Sequence, residues 1–165
     1  MIALHIADIK EFTSKLFLHE DFDSFLVSQA SFTTGFSVAL DGSLHKDYFT
    51  DEQWEAMEQH DLARWSLMRP LCFQIIKGSR LPEQFKIILA LSRANTVRLI
   101  NGGGLSVSPE QVGGLYLNIR YENSRLFCIT GVSFASFSMD KTLEHTWDDM
   151  VKKFLTAKKI AWEEQ

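Results

Sequence analysis

The sequence predicts a single α+β domain over residues 1–165: a mainly antiparallel sheet of about seven to nine strands, with an N-terminal helix, a short middle helix and a long C-terminal amphipathic helix. Three observations carry that expectation. Apolar residues alternate in short runs such as Ile2, Leu4, Ile6 and Phe36, Val38, Leu40. From Asp140 onward the period becomes helical, with Leu143, Trp147, Met150, Val151, Phe154 and Leu155 on one face. No internal repeat, low-complexity tract or linker divides the chain. A content of 45% hydrophobic and 23% charged residues is that of ordinary globular proteins, which excludes collagen-like, disordered and disulfide-stapled classes.

The elements follow in order. Ile2 to Ile6 predicts a half-buried strand. Asp8 with Glu11 three residues on opens a helix whose apolar face is Ile9, Phe12, Leu16 and Phe17, ending near His19. Ser24 to Thr34 and Phe36 to Leu40 are strand-like, and Asp41-Gly42 is a hairpin signal, with Leu44 to Phe49 as the returning strand. Thr50 with Gln53 is a second capping box, opening a short helix with Trp54 and Met57 inward and ending by Asp61. Trp65 to Lys77, broken at Pro70, then Phe85 to Leu91 and Val97 to Ile100 are expected as strands, since proline suits an edge or a strand start. Asn101 to Gly104 is a turn, and Ser108-Pro109-Glu110-Gln111 starts one helical turn. Leu115 to Tyr121, Arg125 to Thr130 and Val132 to Met139 complete a meander before the last helix.

Recognisable catalytic chemistry does not emerge. Cys72 and Cys128 sit in apolar runs with no second Cys or His at metal-ligand spacing, which predicts buried, reduced, inert thiols. His19, Glu20, Asp21 and Asp23 crowd potential ligands together but lack a calcium-loop layout, and no HExxH occurs. Glu144, His145, Asp148 and Asp149 resemble an acid/base cluster, yet acids early and lysines late complement the helix dipole, and Asp148–Lys152 and Asp149–Lys153 are i,i+4 pairs, so a solvated face is expected. Gly102 to Gly104 fail the G-x-G-x-x-G pattern at Val107, and no G-x-S-x-G elbow is present. None of His5, His19, His45, His60 and His145 lies in a catalytic signature. No metal or cofactor is implied.

Charge is more informative. Residues 1–62 hold 12 acids and 3 bases, net −9; residues 63–139 hold 9 bases and 3 acids, net +6; residues 140–165 hold 5 bases and 6 acids, net −1. All seven arginines lie between Arg64 and Arg125. Arginine's planar fork suits phosphate and carboxylate, so clustering on a sheet would make an anion-binding face. With Asn123-Ser124 as a two-residue turn, Glu122 faces Arg125, Arg120 faces Phe127 and Asn118 faces Ile129. One face of that hairpin is then apolar core, and the other mixes Tyr116, Asn118, Arg120, Arg125 and Phe127. The candidate anion-binding residues are Arg69, Lys77, Arg80, Lys86, Arg98, Arg120 and Arg125, with Tyr116 and Phe127 as stacking surfaces. The simpler alternative is that the acidic N-terminal layer neutralises this basic layer internally. An RNA-recognition strand motif is absent around Gly114 to Asn118.

Phe22-Asp23-Ser24-Phe25-Leu26, Trp65 with the run Arg69 to Gly78, and Gly114 to Tyr121, together with Thr130-Gly131 and Trp147-Asp148, resemble a small uncharacterised family of gut Firmicutes proteins, a domain of unknown function. The likeness runs nearly end to end. It implies a bacterial cytosolic protein and supplies no catalytic or ligand residue.

The combined expectation is a cytoplasmic, non-catalytic binding or interaction module; its partner is left open, with a protein, a second copy of the chain and a nucleic acid as the alternatives. The absence of an apolar run near ~18 residues and of a basic, apolar leader argues against a membrane partner. The rivals are nucleic-acid or nucleotide-phosphate binding through the arginine-bearing sheet, and an enzyme whose site is assembled only in space.

Overall fold

The computed structural model describes residues 1–58 and 61–165. Strand β1 (Ala3–Ile6) leads into α1 (Ile9–Phe17), where the Glu11 amide donates to the Asp8 side chain at 3.0 Å, the cap expected from the sequence. Strands β2 (Leu26–Thr33) and β3 (Ser37–Asp41) form a hairpin, and α2 (Asp51–Ala56) follows with both hydrogen bonds of its Thr50/Gln53 capping box in place. Next come β4 (Ala63–Arg64), α3 (Trp65–Ile76), β5 (Gln84–Ala90), α4 (Arg93–Gly102), β6 (Val112–Glu122), β7 (Arg125–Phe134), α5 (Thr142–Ala157) and β8 (Glu163–Glu164). The strands make one antiparallel sheet in the order β3-β2-β5-β6-β7-β1-β8. The two-residue β4 extends the β3 edge, because β5 already occupies the other side of β2. Among the described residues no helix is long and apolar enough to cross a membrane.

The sheet's inner face is the core. Ile87, Leu89, Leu115, Leu117, Ile119, Leu126 and Cys128 point there and are inaccessible to solvent. Helices α1, α3 and α5 cover it: Phe17 meets Phe32, Phe85 and Trp65, the Trp65 indole donates to the Leu16 carbonyl at 3.1 Å, and the Trp147 indole donates to the Tyr116 carbonyl at 2.9 Å. Phe154 closes the layer edge-on against Phe22 and Phe25. The β6–β7 hairpin has the anticipated register, Glu122↔Arg125 through Asn118↔Ile129, across a turn with positive φ at both Asn123 and Ser124.

Four expectations require correction. Trp65 to Lys77 is not a strand but α3, and Pro70 sits inside the helix. An apolar run of this length is ambiguous in period, and length favours the helix once tertiary contacts pay for the hydrogen bond that Pro70 cannot donate. Val97 to Ile100 belongs to α4, whose start is fixed by Ser92 accepting from the Asn95 amide at 3.2 Å. Asp41-Gly42 is not the hairpin turn. The chain reverses at Thr34 to Phe36, Leu44 to Phe49 holds a 3₁₀ turn (Lys46–Tyr48) in place of a strand, and Gly42 is needed because its backbone lies against β2. Finally, Val132 is not the start of a new strand, since β7 runs unbroken to Phe134.

Candidate functional site

On the outer face of the sheet Gln29, Ser31, Lys86 and Arg120 are exposed to solvent. Across it, in register, run Ala39, Ser31, Lys86, Arg120, Phe127 and His5, and beside them Asp41, Gln29, Ile88, Asn118, Ile129 and Ala3. Lys86 stands directly opposite Arg120, a like-charge pair eased by the Arg120 guanidinium donating to Glu122 at 2.8 Å. The Arg125 guanidinium lies 4.8 Å from the Phe127 ring centre, and the His5 ring is 5.3 Å from the same ring. Tyr116 folds along its own strand over Gly114, so closely that a Cβ there would be 2.6 Å from the tyrosine hydroxyl.

Only three of the seven predicted cations therefore share this face: Lys86, Arg120 and Arg125. Asp41, Glu122 and Glu163 lie on it too, through their register with Gln29, Arg125 and His5. Arg69 is on α3 instead, half-buried and bidentate to Asp23 with both bonds at 3.0 Å, so one ligand of the supposed metal cluster is committed to an ion pair. Arg98 is on α4 and donates to Asn95 at 3.2 Å. Both were expected on strands, and the helical reassignment of their segments moves them off the sheet. Lys77 and Arg80 lie elsewhere, just beyond the C-terminal end of α3, where both line a cleft. His60 lies outside the described residues.

Two other sequence clusters resolve into structural roles. Asp148 does not face solvent: it is buried, accepts from the Thr130 hydroxyl at 2.5 Å and from the chain's amino terminus at 3.4 Å, while Lys152 pairs with Glu164 at 2.7 Å. Among the described residues no three or more His, Cys, Asp or Glu side chains converge as a metal site. Cys72 and Cys128 are both buried, and desolvation pushes the Cys72 thiol up to about 12 and the Cys128 thiol up likewise.

An apolar concavity of about 590 Å³ lies between α2, the loop before it and the start of α3. Leu44, Phe49, Met57, Leu62 and Leu67 line it. Leu67 is 67% exposed and Leu71, one helical turn on, 52%. Tyr48 and Phe49 pack edge to face beside it, with Phe49 5.9 Å from Trp54. The segment that builds its α2 side is acidic: Asp47, Asp51, Glu52, Glu55, Glu58 and Asp61 are all exposed, and residues 47–61 contain no Lys or Arg. Of these, Glu58 lines the groove, where it is paired at 2.9 Å with Arg64, which lines it too. Strand expectations for residues 44–49 and 65–77 hid this groove. Its legible signal was Leu67 and Leu71 at helical spacing next to a run of acids.

The sequence places the chain among known families at this point. A family of unknown function, DUF5721, matches residues 15–163. The chain belongs to that family. Comparison with curated proteins gave no match, nor did comparison with solved structures. Membership of DUF5721 bears out the resemblance to a domain of unknown function and carries no residue role, so chemistry must be argued from the surfaces just described.

Proposed function

We propose that this member of DUF5721 is a non-catalytic interaction module that docks a basic, amphipathic helical segment of a partner protein in the groove between α2 and α3. The observation that carries the proposal is the exposed pair Leu67 and Leu71 beside an apolar groove whose α2 side is built by a segment bearing six exposed acids. Exposed apolar surface with a polar rim is the signature of a docking site, and helices are received by such grooves through side chains three and four residues apart. The acidic segment beside the groove selects the sign of the partner, steering association and penalising acidic competitors. A reducing, cytoplasmic setting is supported by two cysteines that are free and buried.

The test is a titration with an 18-residue Leu/Lys amphipathic peptide, its Leu/Glu counterpart and a single-stranded oligonucleotide, followed by Trp fluorescence and circular dichroism. The Leu/Lys peptide should bind and gain helicity, with affinity falling as salt rises. The Leu67→Asp/Leu71→Asp double variant should weaken that binding by about tenfold or more. A flat titration, equal binding of the Leu/Glu peptide, or undiminished binding by the variant would overturn the assignment. Oligonucleotide binding that falls with salt and survives in the variant would move the function to the outer sheet face, where Lys86 and Arg120 stand side by side.

A further inference from the structure

Lys77 and Arg80, two of the cations singled out in the sequence, are both exposed and both line a separate concavity of about 340 Å³. It lies between α1, the C-terminal end of α3 and the end of the sheet, under the loop that joins α3 to β5. Its walls are apolar: Ile9 from α1, Phe73 and Ile76 from α3, and the Phe85–Tyr121 pair from β5 and β6, whose rings stack at 5.4 Å. The Thr13 hydroxyl is already committed to the carbonyls of Ile9 and Lys10. No acidic side chain lines the cleft, in a chain whose net charge is −4. Among the described residues neither Lys77 nor Arg80 has an ion-pair partner, whereas Arg64, Arg69 and Arg120 each have one.

The volume falls in the range of small-molecule sites, which are mostly apolar with a few placed polar groups. The polarity here is one-sided. An apolar floor favours a hydrocarbon or aromatic body, and two unpaired, exposed cations favour an anionic head that stays near solvent. An uncharged apolar guest would leave both cations unused, and a small inorganic anion would leave the floor wet. We propose that this cleft is a binding site for amphipathic monoanions, of the class of medium-chain or aryl carboxylates, with the apolar body between Phe73, Ile76 and Phe85 and the carboxylate held by Lys77 and Arg80. The site is independent of the α2–α3 groove, and either can fail without the other.

Decanoate, kept below its micellar range, is the probe, with decanol as its uncharged counterpart and inorganic phosphate as the bare anion. Calorimetry on the full chain should show saturable decanoate binding, and decanol and phosphate should each bind at least about tenfold more weakly. Lys77→Gln/Arg80→Gln, two exposed substitutions that leave the core untouched, should weaken decanoate by about 10- to 100-fold, the size of one lost charged hydrogen bond for a head group that stays near solvent, and decanol by less than about threefold. Thr13→Tyr, which fills the cleft from α1, should abolish binding of both. Absence of decanoate binding, equal binding of decanol, or unchanged affinity in the double variant would each overturn the assignment.

Discussion

Gly42 illustrates how one residue can be decided by its neighbours. Its amide donates to the Ser28 carbonyl at 2.9 Å, its carbonyl accepts from the Ala63 amide at 2.7 Å, and a Cβ built on it would lie 1.8 Å from the Val27 carbonyl oxygen. It joins the end of β3 to β4 where β2 is bulged between Val27 and Gln29. No side chain fits, and the obstacle is backbone that cannot rotate away. Gly42→Ala should therefore cost about 3 kcal/mol or more, read as a lower urea midpoint, whereas Gly35→Ala, with open space around the position, should change it little. Sequence showed Asp41-Gly42 as a turn pair. Only the packing against β2 shows that glycine is there for clearance and not for a positive φ.

Helix α3 joins the candidate sites. Its first turns offer Leu67 to the α2–α3 groove, its middle holds Cys72 in the core, and its last turn supplies Phe73 and Ile76 to the cationic cleft. Pro70 interrupts it: the residue cannot donate to the Ser66 carbonyl, which a regular helix requires. Because Pro70 is exposed, alanine removes no core contact. Pro70→Ala should raise stability by about 1 to 2 kcal/mol after the lost rigidity of the unfolded chain is counted, a rise of a few degrees in a thermal melt. Helix α5 is built differently, from signals the sequence displays. Thr142 is held by Asp140, and the far end closes in a Schellman arrangement, with the Ile160 amide donating to the Leu155 carbonyl at 2.9 Å and the Lys159 amide to that of Thr156 at 3.0 Å. Lys159 takes the left-handed conformation that this requires, at φ 59°. Lys15 on α1 donates to the Lys158 carbonyl at 2.5 Å, tying the two helices at that point.

Acid should loosen the protein through several carboxylates together, three exposed and one, Glu144, half-buried. Asp41 is held below its ordinary value by the Ser43 amide, Asp140 by the Thr142 hydroxyl, Glu110 by the Ser108 hydroxyl and Glu144 by the Lys141 ammonium. Each folded value lies below the unfolded one, so the stability they add is fully present above the ordinary values of 3.8 for Asp and 4.5 for Glu and is lost as pH falls through the folded values. The melting temperature should accordingly hold steady from neutrality down to about pH 5 and fall below about pH 4; a melting temperature that rises on acidification would contradict this. The exposed acids of residues 47–61 act in the opposite sense at neutrality. Six like charges in one segment repel, a cost that a basic partner would remove.

Local signals were enough for the sheet-and-helix class, the Asp8 and Thr50 capping patterns, the helical turn at Ser108 to Gln111, the Asn123-Ser124 turn with its register, the last helix and the burial of both cysteines, because caps, turns and periodicity act over a few residues. They were not enough for residues 65–77 and 97–100, where short apolar runs satisfy a strand and a helix alike until the sheet offers one inner face to cover. The seven cations were visible as a cluster in the chain, but their fates were not. Helical placement sent Arg69 to Asp23 and Arg98 to Asn95, strand register left Lys86, Arg120 and Arg125 on the open face, and the end of α3 brought Lys77 and Arg80 to one cleft. Charge along a sequence is a sum, whereas recognition depends on which charges share a surface, and that is decided by long-range packing.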